Sequence, residues 1–197
     1  MAPLSDYLPD PLGKGVYRLH AKQLREEAHR KQPHAARHAA ANFITRIPLD
    51  GRNCVAVYYP AGSELHTWPL VEELQQHGRT VCLPVINGQN KPLTFRRYDG
   101  TTAMEAGAYG IMAPAASSPA CVPDVVVVPL LGFKRDGARL GMGGGFYDRT
   151  LDKLRRERNI LAVGYAYADQ EMERFPVERH DQPLNWIVTE REAIRIR

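Results

Sequence analysis

From Arg139 to Arg149 the chain reads RLGMGGGFYDR, with glycine at positions 141, 143, 144 and 145, then two aromatics, an acid and a base. Glycine loses more backbone freedom on folding than any other residue. Such a run therefore marks a mobile connection or a place where something must approach the backbone closely. The flanks favour close approach, because a spacer has no use for Arg139 before the glycines and Tyr147, Asp148 and Arg149 after them. Backbone N–H groups in a loop of this kind can converge on an anion. The start of a following helix adds partial positive charge, and Arg139 adds a full one. Polyphosphate suits such a loop. It is not a Walker A motif, since no Lys-Ser/Thr follows the glycines, and Phe146 breaks the dinucleotide fingerprint. Asp148 has two readings here: a helix-dipole acid worth less than ~1 kcal/mol, or an oxygen ligand for Mg²⁺ shared with phosphates.

These residues need a scaffold. DVVVVPLL (124–131) is a wholly apolar run, as expected of a strand buried on both faces, and the glycine loop follows it. Tyr147, Thr150, Leu151 and Leu154 then share one side of a helix. Further strands are predicted over 53–60, 80–86, 93–99, 160–167 and 185–190, and helices over 20–32 and 34–46. Another helix starts at Thr67 as N-cap, with Pro69 in its first turn. Residues 100–123 read as irregular. Strands alternating with helices predict an α/β fold: three layers, with a largely parallel central sheet flanked by helices. Residues 1–18, Pro- and Gly-bearing, read as an N-terminal extension, and 19–197 as one domain.

Composition narrows the class. The 197 residues are 44% hydrophobic and 24% charged, with net charge +4 and an isoelectric point near 9.0. The basic residues are interleaved with acids, as in LREEAHRKQ and KLRRERN, which describes solvated helix faces rather than a nucleic-acid stripe. No apolar run reaches membrane-span length, and the N-terminus lacks the pattern of a secretory signal. A cytoplasmic protein, monomeric and bound to neither nucleic acid nor membrane, is expected. Cys54, Cys82 and Cys121 are far apart and form no CxxC, so they read as small buried hydrophobes, and their spacing does not support a zinc site.

At these residues the chain resembles the 5-formyltetrahydrofolate cyclo-ligases, also called methenyltetrahydrofolate synthetases. GFKRDGARLGMGGGFYDR carries the resemblance most specifically. VAVYYPAGSELHTWPLVEEL, VCLPVI, LTFRRY, YGIMAP, VGYAYADQ and PVERHDQPLNWIVTE follow the expected order over about residues 20 to 190. The resemblance implies conversion of 5-formyltetrahydrofolate to 5,10-methenyltetrahydrofolate with ATP as co-substrate and Mg²⁺ as cofactor. The formyl oxygen would attack the γ-phosphorus, and N10 would then close onto the formyl carbon as phosphate leaves. It also implies site residues. Lys22, Arg25, Arg139, Leu140, Gly141, Met142, Gly143, Gly144, Gly145, Phe146 and Tyr147 would bind ATP, with Arg139 and Tyr147 catalytic. Tyr59, Glu64, Tyr109 and Phe146 would bind the folate, and Asp148 and Asp181 would place Mg²⁺.

Two positions depart from the family pattern. Members carry Lys and Arg four apart at the start of the first helix, whereas here Ala21 stands four before Arg25 and Lys22 one place later. Ala113 stands where the family commonly has Glu. A binding protein that holds folate or nucleotide without turnover is the competing reading, and Arg139, Asp148 and Asp181 weigh against it. A nucleic-acid partner rests on the isoelectric point alone, and steep salt dependence would be its signature.

Overall fold

The computed structural model describes residues 13–196. Four helices, α1 (Gly13–Lys31), α2 (Ala35–Arg46), α3 (Trp68–Gln76) and α4 (Phe146–Glu157), surround the strands. These are β1 (Cys54–Ala56), β2 (Thr80–Val85), β3 (Thr94–Tyr98), β4 (Met104–Ala106), β5 (Met112–Pro114), β6 (Ala120–Cys121), β7 (Val125–Val128), β8 (Gly132–Phe133), β9 (Arg139–Leu140), β10 (Leu161–Tyr165), β11 (Trp186–Val188) and β12 (Ala193–Arg195). The main sheet runs β12-β11-β10-β7-β1-β2-β3-β6. Its middle, from β11 to β2, is parallel throughout, and β12, β3 and β6 lie antiparallel at the edges.

The alternation of β7 explains the layers. Val125 and Val127 pack with Ala28, Phe43, Leu70 and Leu74 of α1, α2 and α3. Val126 and Val128 face the other way, onto Leu151 and Leu154 of α4. All four valines are buried, each contributing about 1.5–3 kcal/mol through removal from water. A sheet covered on both faces leaves the loops at its strand ends as the place for a ligand.

Three expectations change. Helix α1 begins at Gly13, so residues 13–18 of the predicted extension are its first turns, while residues 1–12 lie outside those described. Residues 100–123 hold the β4–β5 hairpin and β6, and the loop from 132 holds the β8–β9 ladder. Strands of two or three residues are too short for alternation to register. Thr67 stands at the N-cap of α3, but its hydroxyl donates to the Tyr58 carbonyl at 2.8 Å rather than to the helix. Among the described residues no helix is long and apolar enough to cross a membrane.

Candidate active site

The glycine loop joins β9 to α4. Gly145 caps α4 at φ 64° and Gly143 lies at φ 98°, both conformations that favour glycine. Helix α1 lies against this loop. Arg18 Nε donates to the Gly141 carbonyl at 3.0 Å, and a Cβ on Gly143 would stand 3.3 Å from the Arg18 guanidinium carbon. Arg149 donates to the Gly144 carbonyl and stacks over Phe146, 5.5 Å from the ring centre. Arg139 is only 6% exposed; its guanidinium donates to Asp148 Oδ1 at 2.6 Å, and its buried Nε makes no hydrogen bond. The buried Nε of Arg149 is also unpartnered. Buried donors are nearly always satisfied, so the orphaned Nε of the almost wholly buried Arg139 beside the glycine loop marks a place for an anion.

The acids lie next to these cations. Asp148 Oδ1 also accepts the Gln182 N–H at 2.9 Å, which brings the loop bearing Asp181 against the start of α4. Asp181 Oδ2 accepts from Lys14 Nζ at 2.7 Å and from the Glu178 N–H at 2.8 Å. Glu178, His180 and Asp181 bring possible ligand atoms within 4.8 Å of one another. Because Arg139 and Lys14 each neutralise one aspartate, the proximity of the two acids does not by itself require a metal. Their donor chemistry, oxygen from partly buried carboxylates, fits Mg²⁺.

A second cluster continues from the first through Tyr147. Arg25, 5% exposed, donates through Nε to Ser63 Oγ at 3.1 Å and stands 3.6 Å from Glu64 Oε1. Glu64 Oε2 accepts the Ala61 N–H at 2.9 Å. Burial pushes the Glu64 carboxyl up, against the Ala61 hydrogen bond and Arg25, which pull it down. Glu64 is thus a sheltered acid, not the exposed one that its loop position suggests on its own. Burial, and then the Glu64 charge, raise Tyr147 well beyond its ordinary value, with Arg139 opposing. Its hydroxyl keeps its proton, so Tyr147 can donate a hydrogen bond but is no base at neutral pH.

Aromatics rim this cluster. Tyr109 is 67% exposed, holds a left-handed φ of 58° rare for a bulky residue, and sits 6.0 Å from the Phe146 ring. Tyr59 packs edge-on against Trp68 at 5.3 Å.

Some predicted residues fall elsewhere. Lys22 points to solvent with its side chain 56% exposed, pairing with Glu26 at 3.8 Å, because one residue of offset on a helix rotates a side chain by about 100°. The Leu140 side chain is buried with Ala21, Leu131, Met172 and Phe175, which leaves only its backbone for a ligand. The Met142 side chain is 65% exposed. Lys14 and Arg18 were missed. With Ala21 and Arg25 they follow i, i+4, i+7 and i+11, one stripe of a helix, a signal hidden by the Pro and Gly around them.

Known proteins similar in sequence and fold identify the family. The 5-formyltetrahydrofolate cyclo-ligase family profile matches residues 13–190. The chain is 36% identical over 164 residues to 5-formyltetrahydrofolate cyclo-ligase of Escherichia coli K12, covering 81% of this chain and 90% of that one. It is 32% identical over 180 residues to the enzyme of the same name from Mycolicibacterium smegmatis, covering 84% and 89%. Its fold superposes on 5,10-methenyltetrahydrofolate synthetase of Aquifex aeolicus with a TM-score of 0.71 at 27% identity, covering 90% of this chain and 93% of that one. The chain belongs to the 5-formyltetrahydrofolate cyclo-ligase family.

Proposed function

We propose that this enzyme converts 5-formyltetrahydrofolate to 5,10-methenyltetrahydrofolate, using ATP and releasing ADP and phosphate. The observation that carries the reading is the near-buried Arg139 with its unbonded Nε beside a glycine loop that Arg18 and Arg149 also touch. Arg18, Arg139, Arg149 and the loop N–H groups would hold the phosphates, with Gly143 leaving room for close approach. Glu64 would accept hydrogen bonds from the pterin edge, with Tyr59, Tyr109 and Phe146 as its apolar walls.

In the reaction the formyl oxygen bonds to the γ-phosphorus, the bridging P–O bond breaks, and ADP leaves. N10 then attacks the formyl carbon of the imidate phosphate, its proton is lost, and the C–O bond breaks to expel phosphate. Little of this needs a protein acid or base. The enzyme's work is alignment and charge neutralisation, as in other phosphoryl transfers. Arg139 would meet charge developing on the transferred group, and the protonated Tyr147 would orient the reactants from between Glu64 and Arg139. Asp148 and Asp181 would hold Mg²⁺, which supplies neutralising charge on the phosphates. Lys14 and Arg139, which pair those aspartates in the free enzyme, would then turn to phosphate oxygens.

The test is direct. The protein is incubated with 5-formyltetrahydrofolate and Mg-ATP, and the methenyl product is followed by its near-ultraviolet absorption. Product is expected only when all components are present. Folate and nucleotide binding without product would leave the binding-protein reading in its place.

A further inference from the structure

Three cysteines far apart in sequence meet on the sheet face that α4 covers. Cys54 on β1, Cys82 on β2 and Cys121 on β6 bring their sulfur atoms within 4.8 Å of one another, and Cys54 and Cys82 Sγ are 3.7 Å apart. All are free thiols; Cys82 is buried and the other two are half-buried, which gives a way in from solvent.

Strand register decides what such a cluster can do. Cys54 pairs with Thr80, so Cys82 sits two residues farther along the neighbouring strand. With about 3.3 Å of rise per residue and about 4.8 Å between parallel strands, that offset separates the Cα atoms by about 8 Å, more than the ~4.4–6.8 Å that a disulfide spans. A shared metal has a different requirement. Three sulfurs each ~2.3 Å from one centre stand about 3.8–4.0 Å apart, the lower figure for tetrahedral and the upper for planar coordination. The 3.7 Å separation of Cys54 and Cys82 lies close to the tetrahedral figure.

We propose that Cys54, Cys82 and Cys121 form a binding site for one thiophilic d¹⁰ cation, separate from the glycine-loop site. The hard oxygen donors of Asp148 and Asp181 suit Mg²⁺, whereas three thiolates select soft or borderline ions. The three thiols would give up their protons as the cation enters, so binding would release protons and weaken as pH falls. An occupied site would join β1 and β2 to the edge strand β6, which pairs with β3 at only two residues.

The test uses the full chain, reduced and then freed of reductant under nitrogen, and titrated with Cd²⁺ in excess Mg²⁺ to fill hard oxygen sites. Ultraviolet thiolate-to-metal absorption is expected to saturate at one Cd²⁺ per chain, with a rise in melting temperature. Cys121→Ser and Cys54→Ser, both at half-buried positions, should each weaken Cd²⁺ binding by at least ~10-fold while keeping the circular dichroism of the parent. If there is no saturable absorption, or if both variants bind Cd²⁺ as the parent does, the proposal is overturned.

Discussion

The two ends of the parallel sheet use their charged residues differently. At the end where β1 and β7 begin, Asp124 accepts the N–H groups of Asn53 and Cys54, each at 3.0 Å, and faces Arg158 at 3.5 Å. Its work is to tie two strand starts together. Beyond the other end, Asp148 and Asp181 are held by the side chains of Arg139 and Lys14. Unbonded Nε atoms occur at both ends, on Arg52 and Arg79 as well as Arg139 and Arg149. Arg52, Arg79 and Arg149 are only partly buried, whereas Arg139 is almost wholly so, and it alone separates the two ends. Asp124 is held by two backbone N–H groups and a half-exposed arginine, whereas Asp148 and Asp181 each take one backbone N–H and a cation whose side chain is almost buried.

Asp148 and Asp124 should respond to substitution in opposite ways. Asp148→Asn keeps shape and removes charge, so turnover should fall by at least ~100-fold, a barrier rise near 2.7 kcal/mol, with folate affinity kept. Asp124→Ala should do the reverse. It removes the acceptor of two N–H groups, costing about 1–3 kcal/mol, read as a melting temperature lower by roughly 2–4 °C for each kcal/mol, with turnover within about twofold. Calorimetry and steady-state kinetics on the two variants separate these outcomes. Equal losses of turnover would erase the distinction.

Next in size is Arg18. Its guanidinium touches the glycine loop and belongs to the positive end, so Arg18→Ala should weaken ATP by about 1.5–3 kcal/mol, the range for a charged hydrogen bond. That is roughly a 10- to 150-fold rise in KM for ATP. Lys22→Ala should change it less than about twofold. A larger effect from Lys22 would mean that α1 presents a different face to the nucleotide.

Glu64→Gln should weaken folate by a similar ~1.5–3 kcal/mol and leave ATP affinity nearly unchanged, as titration calorimetry would read. A smaller effect concerns pH. The folded carboxyl is raised above its ordinary 4.5, so the folded state keeps the proton longer than the unfolded chain. Stability is therefore full below about 4.5 and declines as pH rises through the raised value. The melting temperature of Glu64→Gln should lack that decline with pH. Parallel curves would show that Glu64 ionises without cost.

Much of this was legible in the sequence, for identifiable reasons. The valines of β7 and the glycine block carry local signals, an unbroken apolar run and a backbone freedom that no spacer needs, so the strand and the helix after the glycines fell where expected, while the β8–β9 ladder between them did not show. Lys14 and Arg18 were obscured because Pro9, Pro11, Gly13 and Gly15 imitate an arm, although their four-residue spacing ahead of Ala21 and Arg25 continues the same helical stripe. The β4–β5 hairpin that carries Tyr109 is too short for any periodicity. The cysteine trio is invisible to spacing, because it depends on strand order placing β1 and β2 near β6. Gly143 shows a mixed cause. Its φ of 98° gives the glycine a backbone role as well as a clearance role, so Gly143→Val would disturb folding and binding together.

In the proposed reaction the glycine-loop cations and the Glu64 cluster act on two substrates at once. The most direct measurement is the ratio of ADP and phosphate released to methenyl product formed, with and without 5-formyltetrahydrofolate. Phosphorylation of the formyl oxygen predicts one ADP and one phosphate per product, and almost no ATP hydrolysis when folate is left out. Hydrolysis at the same rate without folate, or product formed without ATP, would contradict it.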